Sequence, residues 1–383
     1  MKKSIAAFLL IAAVTANSAD VFAEDLTEQS IASEDIVQEA DTALDFLTIL
    51  QIPKKENAIK LTLEEATQKA LSRSTALKTS NMDLKISAEK LEDEENSIAG
   101  GHTFEQLLAY IKQNASYTTS KLSQQVTEES VKFSLKQVYI EIINKEREIA
   151  LTKMSLQLDE KELLIARTKQ KLGLISEQEL QNQELSYQKA LASVEQEEIA
   201  VQNAYRSLAE LIGMDVDENY QLTLEPVYEP LTLSVTLDTY ITSKINTDPN
   251  IKQQQINLDT ATSEAKFTHA SVPESATADQ EADNSVAKAE LTLSDQKSSL
   301  RTQLQNCYDS IVQLESSYNN NLTELENLKK QLTISQKQYE LEQCTELEVL
   351  QAKQSVAQKE SEIIGQMYEH MLLLEQFEYS YLL

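Results

Sequence analysis

The chain has 383 residues, 62 of them acidic against 34 Lys and Arg, giving a net charge of −28, and it holds five Gly, five Pro and no Trp. That balance excludes nucleic acid and anionic lipid surfaces as partners, because both recruit Lys and Arg. With so few breakers and an abundance of Leu, Glu, Gln, Lys and Ala, the composition points to an all-α chain of long helices.

In chain order, residues 1–23 read as a secretory signal. Lys2 and Lys3 precede the apolar core "IAAFLLIAAV", and Val21-Phe22-Ala23 supplies small residues at the cleavage spacing. Residues 24–57 form an acidic flexible arm with one apolar patch, "LDFLTIL". A first helical repeat occupies 58–213, a Pro-containing linker 214–234, and a second helical repeat 235–383. Between the breakers, helices are expected at 62–98, 103–172, 175–212, 236–270, 284–343 and 345–381. Cys307 and Cys344 fall on one helical run and would lie roughly 55 Å apart. A disulfide needs Cα atoms within about 7 Å, so both thiols are expected to be free.

The two halves repeat each other. "TLEEATQKALSRSTALK" from Thr62 matches "TLDTYITSKINTDPNIK" from Thr236. Further on, "VYIEII" around Tyr139 meets "CYDSIV" around Tyr308. Leu135, Ile142, Ile149, Leu156 and Leu163 then align with Leu304, Ile311, Tyr318, Leu325 and Leu332. This heptad spacing is that of a coiled-coil seam. A second stripe, Leu151, Leu158, Ile165 and Leu172, lies about 200° around the same helix. A helix apolar on two opposite sides needs neighbours on both, as in a wall of side-by-side helices.

The repeat openings, the tyrosine that begins each long helix, and "KLGLISEQEL" followed by "YRSLAELIGMD" resemble the TolC-type outer-membrane efflux proteins over about 60–383. The resemblance implies two long coiled-coil hairpins per chain, a homotrimer enclosing a helical conduit, and a β-barrel in the outer membrane. It also implies partnership with a membrane-fusion adaptor and an inner-membrane pump in transmembrane export. The signal implies export and the resemblance a place in the cell envelope, outer membrane or periplasm; no cofactor is expected. The barrel strands would fall in "SIAGGHTF" and "HASVPESATADQEADNS", and neither is long enough to supply membrane strands. Direct membrane insertion is therefore not expected, and a non-channel coiled-coil scaffold of the envelope stands as the alternative.

The resemblance places the functional residues at the two hairpin turns. Gly173 marks the first turn, and Leu174, Ile175 and Ser176 follow it as candidates for adaptor contact. In "LEQCTELEVL" the second turn carries Glu342 where glycine is expected, with Cys344 and Thr345 as the matching contact candidates. Glu348 and Gln351 fall on the family's acidic pore-entrance positions, Glu179 on the corresponding place in the first repeat, and Tyr339 on the tyrosine before the turn. In a trimer, glutamates gathered round one axis would raise one another's pKa and attract cations. Without assembly they are ordinary acids of an acidic helix. His102, His269 and His370 are the only histidines, and their scatter suggests solvated loop positions rather than metal ligation. No G-x-S-x-G, phosphate-binding glycine loop or H-E-x-x-H is present, so no enzyme activity is expected.

Overall fold

The computed structural model describes residue 49 and residues 58–99, 103–215, 219–271 and 276–383. The expectations for the signal, for most of the arm and for His102 lie outside the described residues. Strand β1 (Ile59–Thr62) leads into α1 (Leu63–Arg73) and α2 (Thr75–Ile98), followed by α3 (Phe104–Lys171) and α4 (Glu177–Ile212). After β2 (Tyr220–Thr223) come α5 (Leu237–Thr247), α6 (Pro249–Ser271), α7 (Ala276–Glu340), α8 (Glu346–Glu378) and a short 3₁₀ turn at Ser380–Leu382. At 68 and 65 residues, α3 and α7 each run about 100 Å.

The described residues are all-α apart from one small sheet that sequence reasoning missed. β1 and β2 pair in parallel, Ile59 opposite Tyr220 through Thr62 opposite Thr223. Both alternate apolar and polar residues, IKLT and YQLT, but four residues apiece are too few to set them apart from the adjoining linker and helix start. Two expected helices are each broken once, at equivalent places in the repeat. Ser74 separates α1 from α2, and Asp248 separates α5 from α6; both have extended ψ values, 117° and 128°. Asp248 precedes Pro249, which disfavours the helical region for the residue before it. Its carboxylate then caps α6, accepting the N–H groups of Asn250 (2.8 Å) and Ile251 (3.0 Å). Ser74 does the same for α2 through the N–H of Leu77 (3.2 Å). Helix α7 begins at Ala276 rather than 284, since "ATADQEAD" is good helix-forming sequence with an acid in the first turn.

The helices stand side by side in a row. In one half of the length, α3 is flanked by α4 and α8, and α8 packs in turn on α7. In the other half, α3 is flanked by α2 and α6, and α6 packs on α7. The two long helices thus pass through both halves, and the shorter ones succeed each other along them. The expected seam is buried at Leu135, Ile142 and Leu163 on α3 and at Leu304, Ile311, Tyr318, Leu325 and Leu332 on α7. Where α5 and α6 meet α7, Ile241, Ile245, Ile251, Leu300, Leu304, Cys307 and Phe377 form one core cluster. Cys307 is buried and Cys344 half-buried, both as free thiols.

Tyr139 ties this row to the sheet. It is fully buried, and its hydroxyl donates to Leu61 O (2.5 Å) while accepting the N–H of Thr223 (2.8 Å), one bond to each strand. Its repeat partner Tyr308 instead leans on Phe377, with ring centroids 6.0 Å apart. Tyr139→Phe is expected to leave two buried backbone groups unpaired and to cost about 1–3 kcal/mol in urea unfolding, with Tyr308→Phe costing less. Leu325→Ala, which opens a cavity in the seam, should cost about 2–5 kcal/mol in the same assay.

Candidate functional site at the paired turns

Helices α3 and α7 end in the same backbone device. Leu174 donates its N–H to Lys169 O (2.9 Å) and Gly173 donates to Gln170 O (2.9 Å). One repeat later, Gln343 donates to Gln338 O (2.8 Å) and Glu342 to Tyr339 O (3.0 Å). This is the paired hydrogen bonding of a Schellman cap, which needs a left-handed residue just past the helix. Gly173 supplies it at φ 69°, and Glu342 adopts it at φ 57° despite its side chain. The alignment of Glu342 with the missing glycine therefore holds at the level of backbone geometry.

The returning helices start alike too. Ser176 caps α4 and Thr345 caps α8, each closing a capping box with the glutamate three residues on. Glu179 accepts the Ser176 N–H (2.7 Å) and hydroxyl (2.9 Å); Glu348 accepts the Thr345 N–H (2.6 Å) and hydroxyl (2.9 Å). Backbone donation by Ser176 and Thr345, reinforced by their hydroxyls, holds both carboxyls below the ordinary glutamate range. Any mutual repulsion between copies would have to act against this capping.

The other sequence candidates sort by exposure. Leu174 is 69% exposed, whereas Ile175 is half-buried and turns partly inward, which corrects its reading as an exposed tip residue. Two leucines not singled out for the tip surface, Leu172 (69%) and Leu341 (67%), are as exposed as Leu174. Both immediately precede the left-handed residue, a position the cap geometry directs away from the hairpin, and that offset was the available signal. Tyr339 and Gln351 are exposed. Cys344 is half-buried, its thiol donating to Ser335 O (3.2 Å), and desolvation followed by the nearby Glu348 raises its pKa. Its expected role as a tip contact gains no geometric support from that inward bond.

The two described histidines, His269 and His370, lie on helices rather than in loops. His370 is fully buried on α8, with Nε2 2.9 Å from Glu315 Oε1 of α7. His269 lies near the end of α6 between two aspartates of α7. Among the described residues no group of three or more His, Cys, Asp or Glu side chains is placed to hold a metal.

The described helices form a row of long helices folded back at one end by two equivalent tight turns. The chain has the fold of the TolC-type outer-membrane channels. It is similar to the CmeC outer membrane channel of Campylobacter jejuni at 11% identity and TM-score 0.65, covering 83% of this chain and 85% of that one. The outer membrane protein VceC of Vibrio cholerae matches at 12% identity and TM-score 0.64, over 83% of this chain and 96% of that one. The open-state MtrE outer membrane channel of Neisseria gonorrhoeae matches at 13% identity and TM-score 0.57, over 83% and 88%. No family model matches the sequence, and no curated protein matches it.

The two turns give opposite expectations for one substitution pair. Gly173 has open space where a Cβ would sit, so Gly173→Ala should cost only the left-handed backbone strain, about 1–2 kcal/mol. Glu342→Gly relieves the same strain and should stabilise by a comparable or smaller amount. Thermal unfolding of both variants checks this. The capping boxes add a pH dependence: because Glu179 and Glu348 titrate below their unfolded value, their contribution is present above it and is lost as pH falls through the folded pKa.

Proposed function

We propose that three copies of this chain associate edge to edge into a helical conduit. In this reading the paired turns face an adaptor that links the conduit to a membrane pump in export. The observation that carries it is the unfinished row. Its edge helices α4 and α7 do not pack on each other, and both leave apolar side chains exposed. Leu185, Leu191 and Ile199 project on α4, and Leu291, Val312 and Ile334 on α7. An edge of one kind on each side suits a head-to-tail contact, which closes into a ring when the rotation per copy allows. The exposed leucines at the turns make a small apolar patch on a polar end, a surface suited to a partner's helices. Glu179, Glu348, Gln351 and Tyr339 would then stand at the entrance, and Leu172, Leu174 and Leu341 at the docking face.

A second reading is favoured by the opposite end of the row. There α2 buries only Leu77 and Ser87, and the helices are joined by polar contacts such as Ser87 to Ser120 (2.8 Å) and Lys112 to Glu264 (2.6 Å). Such an end suits water, and a rigid coiled-coil scaffold would need no more. Mass separates the two. Light scattering on residues 24–383 without detergent is expected to give a trimer at tens of micromolar; a monomer would leave only the scaffold. Leu172→Ser combined with Leu174→Ser should abolish capture of a purified helical-hairpin adaptor in a pull-down while leaving Tm almost unchanged. Ile175→Ser, by contrast, should lower Tm, because that side chain is half-buried against the hairpin.

A further inference from the structure

Near the end of α6, His269 is bracketed by two carboxylates from the first two turns of α7. Its Nδ1 lies 3.0 Å from Asp279 Oδ1, and its Nε2 lies 3.0 Å from Asp283 Oδ1. A neutral imidazole has one N–H and one lone pair. It can donate to one of these aspartates, but its lone pair would then face the other carboxylate's lone pairs at hydrogen-bonding distance. Only the imidazolium, with two N–H donors, satisfies both contacts. The geometry therefore calls for a proton.

We infer that His269 is a proton-operated latch that holds the α6–α7 hairpin closed while it is charged and releases the hairpin as it deprotonates. The aspartates at 279 and 283 are one helical turn apart, so a single ring grips two successive turns of α7 and fixes its start against α6. The surrounding charges do not substitute for them. On α6 itself, Lys266 is exposed and Glu264 is paired with Lys112 of α3 at 2.6 Å. α7 carries Glu281 between the two aspartates, and α3 brings Glu105 beside Phe104, whose ring stacks on Phe267 at 5.4 Å. The two extra acids share the sign of the latch carboxylates and can only favour the imidazolium. In keeping with this, the hydrogen bond to Asp283 raises the pKa of His269 most; burial opposes it, and the charges of both aspartates with the hydrogen bond to Asp279 leave it above the usual histidine value.

The sign follows from linkage. A histidine whose folded pKa is raised stabilises the hairpin fully below the unfolded value of about 6.5 and loses that contribution as pH rises through the folded pKa. The end of the row away from the paired turns is therefore closed under mildly acidic conditions and loosens in alkali. His269 is about 41% exposed, so the latch acts on a local hairpin end and not on global stability. This inference stands apart from the conduit reading and holds for a monomer as well as a trimer.

The test is an NMR titration of the imidazole signals of the full-length chain, with His269 identified by the signal that disappears in His269→Gln. Its midpoint is expected above the ordinary histidine value. Asp279→Asn and Asp283→Asn should each lower it, and together they should return it to that value. Amide hydrogen exchange, corrected for intrinsic base catalysis, should show the first turns of α7 losing protection several-fold across the same midpoint. His269→Gln should lack that pH-dependent step, and His269→Lys, cationic throughout, should retain protection into alkali. A midpoint at or below the ordinary value, or a protection step unchanged in His269→Gln, would overturn the latch.

Discussion

A helix apolar on two opposite sides cannot be satisfied by one partner, and this constraint organises the whole chain. Helix α3 meets it with α2 and α4 in succession on one side and α6 and α8 on the other. What remains unsatisfied lies at the two edges and on α3 close to its turn. Down the second stripe of α3, Leu151 and Leu158 are half-buried, whereas Ile165 and Leu172 are exposed as the turn is approached. Burial thus fades along one stripe toward the end at which the turns lie.

The middle of the row is held differently from either end. There the segment after β2 lies across α7 and α8, fastened by Tyr368 donating to Leu224 O (2.6 Å) and by Leu231 donating to Glu315 (2.7 Å). Tyr228 is stacked on Tyr318 with centroids 3.8 Å apart and lies 4.9 Å from His370. Beneath it sit charged groups that helix propensity alone would place in water. Glu360 is fully buried, accepting the N–H of Ile49 (3.3 Å) with Lys329 at 3.5 Å. Arg147 bonds Asn144 and lies over the Tyr368 ring at 5.4 Å, its Nε and Nη1 without hydrogen-bond partners among the described residues, and burial lowers its pKa to about 10. Groups of this kind cost free energy to bury and are kept only where partners on neighbouring segments hold them.

The legible parts of the sequence were those governed by local rules. Heptad spacing identified the buried seam through Leu304, Ile311 and Leu325, and the repeat offset carried the first turn onto the second, down to the left-handed Glu342. Ser176 and Glu179 were readable as a capping box because that motif is encoded within four residues. The parts that failed depend on contacts between distant segments. Nothing near Tyr139 says that its hydroxyl will join two strands about 160 residues apart along the chain, and nothing around His370 announces a buried partner 55 residues away. Pro249 was visible, but its effect falls on the preceding residue, and reading α5 and α6 as one helix passed over that neighbour effect.

The two ends of the row differ in kind. At the turns, leucines are exposed beside tight, doubly capped backbone, an arrangement that presents apolar surface on a rigid support. At the other end, α2 carries Lys85, Glu89, Lys90, Glu92, Asp93, Glu94 and Glu95, and no described helix is long and apolar enough to cross a membrane. The solved channels of this fold are outer-membrane proteins by their own descriptions, yet the described residues here hold only two short strands, paired with each other. A charged helix end cannot face hydrocarbon without a large desolvation cost. The two ends therefore suit different surroundings: α2 presents charge to water, and the turns expose leucines on a rigid support.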